Sequence, residues 1–146
     1  MKRRRRSREA GISVIEVVML TPLVIGFVML IVCFGILVDA RANIQGAARD
    51  AARSGSLERD STAALTAAKA AATADGMDGT CNAGWTIDEV DPNTGAVTTA
   101  FASGDLYTVQ ITCSVSLGGV NWFGLPTKTF VIEATAPLDI FRRSTP

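Results

Sequence analysis

The sequence predicts an α+β protein with a long N-terminal transmembrane helix that continues outside the membrane, a second, alanine-rich helix, and a small antiparallel β-sheet ectodomain. Three patterns in the 146 residues support this prediction. Residues 17–38 form an uncharged apolar run, the next segment keeps small residues at helical spacing, and the last third alternates apolar with polar residues. Because a chain of this length can build one modest core, we expect a single domain outside the membrane.

Residues 1–11 form a basic leader, which we expect to remain in the cytoplasm. Only one acid, Glu9, opposes its cations. Cations beside an apolar span stay on the cytoplasmic side, so the leader predicts an N-terminus inside and a C-terminal domain outside. A basic run can also bind nucleic acid, but its place beside the span favours the topological interpretation, and we expect no nucleic-acid partner. The cations are Lys2, Arg3, Arg4, Arg5, Arg6 and Arg8.

Residues 12–38 are predicted to be the transmembrane helix. They hold a single charge, Glu16, and the uncharged part alone would span about 33 Å, which exceeds the roughly 30 Å of a bilayer core. A cleavable secretory signal has a shorter apolar region, of about 7–15 residues. We expect Pro22 to kink the helix, because proline removes a backbone hydrogen bond and crowds the preceding turn.

Residues 39–56 are predicted to extend the same helix beyond the membrane. Small residues recur there at helical spacing, proline is absent, and the Ser-Gly-Ser at 54–56 is a termination signal. A second helix, rich in alanine, is expected to follow an N-cap at Asp60 or Ser61 and to stop at Gly76.

Residues 57–146 are assigned to the extracytoplasmic α/β domain. The turn-forming cluster at 91–95 lies between two short runs, 85–90 and 96–101, and predicts a β-hairpin. Residues 106–117 alternate most clearly, and this pattern predicts a strand with an apolar core face and a solvated Thr/Ser face.

A last strand is predicted over 127–138, with the alternate residues from Phe130 to Ala134 on one face. The loop before it contains Trp122 and Phe123. These aromatic side chains either contact a partner or pack the loop onto the core, and the sequence leaves both alternatives open.

Cys81 and Cys113 fall in the extracytoplasmic domain, where disulfides persist. A bond between them would close a loop of about 33 residues and stabilise the domain by roughly 3–4 kcal/mol. The alternatives are two unpaired thiols or a metal pair, but the chain has too few soft ligands for a thiolate metal site. Cys33 lies in the span, where it would behave as a small apolar residue.

The chain offers little catalytic chemistry. It contains no histidine, so a histidine general base and Ser-His or Cys-His pairs are excluded. A Ser-Lys enzyme using Lys69 or Lys128 has no feature in its favour. Asp88, Glu89 and Asp91 lack the spacing of a calcium loop and are interpreted as an exposed acidic turn. We therefore predict a non-enzyme without a cofactor, metal or small-molecule substrate.

Residues 11–16, Gly-Ile-Ser-Val-Ile-Glu, follow the basic leader and precede the uncharged run. This stretch resembles the processing site of type IV pilin-like precursors. In those proteins prepilin peptidase cuts after a glycine, and a glutamate is the fifth residue of the mature chain. Counted from Ile12, Glu16 is the fifth residue.

A longer stretch, roughly residues 8–56, resembles the N-terminal signature of TadE-like proteins, the pseudopilins of tight-adherence (Flp) pilus systems. The shared elements are Glu16, Pro22 six residues later, the Phe-Gly pair at 34–35, and the trailing Gly-Ala-Ala-Arg-Asp-Ala-Ala-Arg. The resemblance implies a non-catalytic minor pilin or assembly component of a type IVb Flp pilus. The implied partners are the membrane, prepilin peptidase, other pilin or TadE/TadF-like subunits and the pilus assembly machinery.

Cleavage between Gly11 and Ile12 would leave a new ammonium on Ile12. Glu16 could pair with that amine, in its own chain or in a neighbour, and two charges that are costly alone become tolerable together. Glu16 is therefore a candidate for subunit docking in a single-pass protein of the bacterial cell membrane. Two alternatives remain: an ordinary membrane-anchored ectodomain with an intact Met1, or a secreted protein cut at the A-x-A-like site at 40–42.

Overall fold

The computed structural model describes residues 7–99, 101–116 and 127–139. Over these residues the chain forms three helices and a three-stranded antiparallel sheet, so the predicted α+β class with a long N-terminal helix is confirmed. The chain divides after Leu37 into two compact units. The elements are α1 (Ser7–Ser56), α2 (Ser61–Ala74), α3 (Met77–Thr80), β1 (Trp85–Glu89), β2 (Leu106–Val115) and β3 (Lys128–Pro137).

Helix α1 is 50 residues long, and its two parts differ in what they bury. In the first unit most of its apolar side chains from Ile15 onward are exposed. In the second unit one face is buried in the core, because small and apolar residues recur there every three or four positions. The buried residues of this face are Ala40, Ile44, Ala47, Ala48, Ala51 and Ala52.

Helix α2 begins after the predicted N-cap. Asp60 Oδ1 accepts a hydrogen bond of 2.8 Å from the Ala63 backbone N–H, which satisfies one free donor of the first turn. The buried face of α2 consists of alanines four residues apart, which pack into the same core as α1. Gly76, with a φ of 81°, follows this helix and precedes the four-residue α3, which the sequence pattern does not predict.

The sheet has the order β1-β2-β3, and both neighbouring pairs are antiparallel. Ile111 of the central strand pairs with Ile87 in β1 and with Ile132 in β3. The alternate residues of β2 from Tyr107 to Val115 are buried in the core, as the alternation of that segment predicts.

The other face of the sheet carries polar pairs between β2 and β3. Gln110 Nε2 donates to Glu133 Oε1 at 2.8 Å, and the hydroxyls of Thr108 and Thr135 share a hydrogen bond of 2.9 Å. Thr108 departs from the predicted solvated face because it is 2% exposed, and the bond to Thr135 satisfies its buried hydroxyl.

The predicted hairpin between 85–90 and 96–101 is confirmed in part. The chain reverses at 91–95, and the Thr98 N–H donates to the Glu89 carbonyl at 3.0 Å beside an antiparallel bridge between Val90 and Val97. Among the described residues of 96–101 no strand continues beyond this bridge. The other edge of β1 pairs along its whole length with β2, which presents a continuous apolar face to the core, whereas the Val97 side chain is exposed.

A disulfide joins the residue after α3 to the central strand. The Sγ atoms of Cys81 and Cys113 are bonded, and their Cα atoms lie 5.4 Å apart. Both cysteines are buried in the core, so the bond ties the helical layer to the sheet. Cys33 of α1 is a free thiol.

Candidate functional site

The candidate site is the N-terminal part of α1, from Gly11 to the outer end of the apolar run. The bond between Gly11 and Ile12 lies within the described helix, which begins at Ser7. Glu16 follows Ile12 by four residues, so the two positions share a helix face and are about 6 Å apart along the axis. An amine created at Ile12 would lie one turn from the Glu16 carboxylate.

The Glu16 side chain is exposed, and among the described side chains it has no hydrogen-bond or ion-pair partner. Its neighbours Ile15 and Val17 are apolar and also exposed. In a bilayer a lone carboxylate at such a position is costly, and a cation that pairs with it lowers that cost. The carboxylate is therefore available to a cation from outside this set of side chains.

Helix α1 continues through Pro22 as one α-helix. Pro22 has no N–H to donate to the Val18 carbonyl, which loses its normal helical partner. One residue earlier, the Thr21 hydroxyl donates to the Val17 carbonyl oxygen at 2.7 Å. This bond adds a side-chain donor at the turn that proline weakens, in a segment where lipid could not supply one. The kink at Pro22 stays a prediction.

The exposed apolar surface of α1 ends at the first charged residue after the run. Val38 is 68% exposed, and Asp39 follows, with its Oδ2 accepting a hydrogen bond of 3.3 Å from Asn43 Nδ2. The next residue, Ala40, is only 5% exposed. The helix is long and apolar enough to cross a membrane, with a window of mean hydropathy 2.8 in which no residue is buried. The core helix of a soluble domain would be mostly buried, so these observations favour membrane anchoring.

The family model of TadE-like proteins matches residues 11–53. This segment is TadE-like. The match begins at Gly11 and includes Glu16 and Pro22, and it confirms the resemblance that the sequence predicts. It supports a protein that is associated with a Tad pilus and anchored in the membrane by one span. No curated protein and no solved structure matches the chain.

The TadE-like segment is confined to α1, so α2, α3 and the sheet lie outside the match. Proteins of this family are pilus components and are generally non-enzymatic. In the part of the chain that the structure describes, no three His, Cys, Asp or Glu side chains are grouped as metal ligands.

The predicted site residues are described to different extents. Gly11, Ile12 and Arg8 belong to helix α1, and only their backbone is described. For Glu16 the side chain is described as well. The other cations of the leader, Lys2 to Arg6, lie outside the described residues. Trp122 and Phe123 of the predicted loop also lie outside them.

Just beyond the TadE-like segment, α1 ends against a buried tyrosine that the sequence does not single out. A Cβ atom at Gly55 would lie 2.8 Å from Tyr107 Cζ, so only glycine allows this approach of helix to ring. The ring of Phe101 packs edge-on against Tyr107, with centroids 5.8 Å apart. The Tyr107 hydroxyl is buried and has no hydrogen-bond partner among the residues that the structure describes. The alternation of β2 places Tyr107 in the core but gives no sign of an unpaired hydroxyl.

Glu89 contradicts the predicted exposed acidic turn, because it is 5% exposed at the end of β1. Its burial raises the pKa of the Glu89 carboxyl to about 7. Burial, together with the nearby charge of Glu89, raises the pKa of the Tyr107 hydroxyl. Asp91 behaves in the opposite way: two backbone N–H groups of the turn donate to it and lower the pKa of its carboxyl.

Proposed function

We propose that this chain is a minor pilin or pseudopilin, a non-catalytic component of a type IVb tight-adherence (Flp) pilus, and that prepilin peptidase cuts it between Gly11 and Ile12. One observation supports the proposal most: a TadE-like segment begins at Gly11, carries Glu16 five residues later, and leads into an exposed apolar helix. Each of these features is common alone, and the proposal depends on their combination within one short segment.

The proposed orientation places the leader in the cytoplasm and the domain after Val38 outside. The cations of residues 1–11 support this orientation, since such residues are retained on the cytoplasmic side. The disulfide between Cys81 and Cys113 supports it independently, because disulfides persist in oxidising, extracytoplasmic compartments.

The proposed role of Glu16 is to receive the amine that cleavage creates. Before the cut, the carboxylate lies close to the cytoplasmic interface, where water and the leader stabilise it. After the cut, the Ile12 ammonium of its own chain or of a neighbour is its partner. A pair across two chains would set the axial register of one helix against the other, because either charge left unpaired in lipid is strongly unfavourable.

The exposed side chains of residues 15–38 provide the second contact in the proposed assembly. Lipid covers them while the subunit waits in the membrane, and the spans of neighbouring subunits cover them after assembly. Association of such helices depends on close packing and a few polar contacts, because lipid is as apolar as the side chains themselves. The Glu16 pair would therefore give specificity that apolar contacts alone lack.

The mass of the mature N-terminus tests this proposal. The full chain is produced with and without a prepilin peptidase, and its intact mass is measured. We expect a chain that starts at Ile12 only when the peptidase is present, and loss of the cut in Gly11→Leu. Gly46→Ala is the matched control, because Gly46 lies further along the same helix with open space around it.

Two results would contradict the processing proposal. An intact Met1 beside an active peptidase, shown by cleavage of a second substrate, would favour an ordinary membrane anchor. A soluble domain that begins after residue 42 in the culture medium would favour a secreted protein. Neither result would alter the TadE-like character of the segment itself.

The docking role of Glu16 has its own test. Glu16→Ala should leave membrane insertion and cleavage intact and should lower the amount of assembled pilus by about tenfold or more, since it leaves the Ile12 ammonium unpaired. Asp39→Ala, which removes an acid from the outer end of the span, is the control and should assemble normally. Normal pilus output from Glu16→Ala would count against the role.

A further inference from the structure

No other described strand pairs with the outer edge of β3, and the register shows which of its backbone groups point to that edge. The Leu138 N–H donates to the Asp105 carbonyl, in line with the β2–β3 register. Antiparallel pairs alternate between bonded and non-bonded, so the even-numbered residues of β3 bond to β2. The N–H and C=O groups of Thr129, Val131 and the alternate residues after them therefore point to the free edge. Pro137 is also one of these outward-pointing residues, and its missing N–H therefore breaks no bond to β2.

Strand β1, at the other side of the sheet, is less available. The Thr98 N–H donates to the Glu89 carbonyl at 3.0 Å, and Val90 forms a bridge with Val97. These contacts cover one end of an edge that is only five residues long. The ten-residue β3 has no such cover from the described residues, so it is the open edge of this sheet.

A groove of about 530 Å³ runs beside the open edge, between β3 and helix α1. One side is formed by residues 132–137 of β3 and the other by Gln45, Arg49 and Arg53, which are spaced four residues apart on one face of α1. The side chains of β3 on this side are small after Ile132, namely Ala134 and Ala136, which leaves room for the side chains of an added strand.

Two arginines and one carboxylate line the groove. Among the described residues, neither Arg49 nor Arg53 pairs with a carboxylate, and both side chains are exposed. The carboxylate, Glu133, accepts a hydrogen bond from Gln110 on the opposite face of the sheet, which leaves the two guanidinium groups as the charges on the α1 side. Their positions are about 6 Å apart along the helix, and side chains on one face of a strand are about 6.6–6.8 Å apart. Acids at alternate positions of an added strand thus match the spacing of the two guanidinium groups.

We propose that this groove binds an extended acidic segment of a partner protein, which pairs with the free edge of β3 as a fourth strand and directs alternate carboxylates toward Arg49 and Arg53. A second copy of this chain fits less well. Pairing of β3 with β3 around a two-fold axis would place the same arginines of both copies on one side of the joint sheet, where they repel each other. The proposal concerns the outer domain and does not depend on cleavage at Gly11.

The test uses the full chain in lipid nanodiscs and a fluorescent peptide of four Val-Glu repeats with blocked termini. A Val-Lys peptide of the same length is the charge control. We expect fluorescence anisotropy to show binding of the Val-Glu peptide only, weakened by salt. Arg49→Glu combined with Arg53→Glu should raise the Kd by about tenfold or more. Arg41→Glu, on an exposed position of α1 outside the groove, should change it less than about twofold.

A second pair of variants tests the strand pairing separately from the charge. Val131→Pro removes an outward N–H without touching the bonds to β2, and should raise the Kd by about tenfold. Val131→Thr keeps the N–H and should bind normally; thermal unfolding checks that both variants are folded. Equal binding of both peptides, or unchanged binding by Val131→Pro, would overturn the proposal. A dimer of the chain that Val131→Pro dissociates, without peptide binding, would overturn it in favour of a second copy.

Discussion

The two parts of α1 share a helix and differ in almost every other respect. Residues 15–38 carry large apolar side chains on all sides, most of them exposed, whereas residues 40–52 carry small residues on one face that is buried in the core. A helix that is apolar all round needs an apolar environment on all sides, and a helix with one apolar face needs only one neighbouring layer. The pattern of side-chain size therefore separates a surface for lipid or other subunits from a surface for the chain's own domain.

A charge placed in the buried part of α1 should have the largest effect on stability. Ala48→Asp should lower the free energy of unfolding of the outer domain by about 3–5 kcal/mol, because Ala48 is fully buried and the new carboxylate has no partner. Chemical denaturation in detergent measures the change. Ala42 lies on the same helix but is exposed, so Ala42→Asp should change the free energy of unfolding by less than about 0.5 kcal/mol. Equal effects of the two variants would show that the buried face is not packed as described.

The disulfide should stabilise the outer domain without affecting the membrane-spanning part of α1. Cys81→Ser combined with Cys113→Ser should lower the free energy of unfolding of the outer domain by about 3–4 kcal/mol, because the unfolded chain loses its cross-link. Membrane insertion of residues 15–38 should not change. Mass measurement after alkylation, with and without reduction, checks the pairing directly, and two reactive thiols in the outer domain of the unreduced wild-type protein would contradict it.

Glycines of α1 provide a smaller test. Gly55→Ala should destabilise the outer domain by about 1–3 kcal/mol, because its Cβ would overlap the ring of Tyr107. Gly46→Ala, with nothing within 4 Å of the added atom, should be neutral or stabilise the helix by up to about 1 kcal/mol. The melting temperature of Gly55→Ala should therefore fall below that of the wild type, and that of Gly46→Ala should stay the same or rise. A Gly55→Ala protein as stable as the wild type would mean that α1 does not end against Tyr107.

The smallest expected effect is a pH dependence that belongs to the outer domain alone. The pKa of Glu89 is raised from 4.5 in the unfolded chain to about 7 in the folded protein, so the folded protein binds the proton more tightly. The stabilisation from this protonation is complete below pH 4.5 and is lost as the pH rises through about 7. We expect it to amount to about 1–2 kcal/mol after allowance for solvent.

Glu89→Gln isolates this contribution. The variant should remove that part of the decline in stability between about pH 5 and 7 and leave the remaining pH dependence unchanged, as measured by denaturation at several pH values. Asp88→Gln is the control, since Asp88 is the exposed neighbour of Glu89. An identical pH profile for wild type and Glu89→Gln would show that Glu89 is solvated.

The sequence was sufficient to predict those helices and strands whose pattern depends only on residues close together in the chain. The apolar run, the alanine spacing around Ala48, the N-cap at Asp60 and the alternation of β2 each predict an element that the structure contains. Their common property is that backbone geometry alone fixes which residues share a face. The TadE-like resemblance depends on the same kind of local order, from Gly11 to Pro22.

Features that depend on distant partners were missed. The run after the turn at 91–95 has strand-forming residues, but its pairing with the end of β1 is limited to the contacts of Val97 and Thr98, and the Val97 side chain stays exposed. Glu89, which sequence reasoning assigned to an exposed turn, is buried at the end of β1. The groove beside β3 joins Arg49 to residues more than 80 positions later, and no spacing rule in one sequence relates them.

The exposed apolar surface of residues 15–38 also constrains how the chain could leave the membrane in the proposed assembly. On insertion scales its leucine, isoleucine, valine and phenylalanine residues each favour the membrane by about 0.3–0.6 kcal/mol, which amounts to a preference on the order of 5–10 kcal/mol for the whole span. Spontaneous escape into water is therefore rare on the timescale of growth and division. In the proposed assembly, each copy would therefore pass directly from lipid to the apolar surface of a neighbouring span, without an intermediate in water.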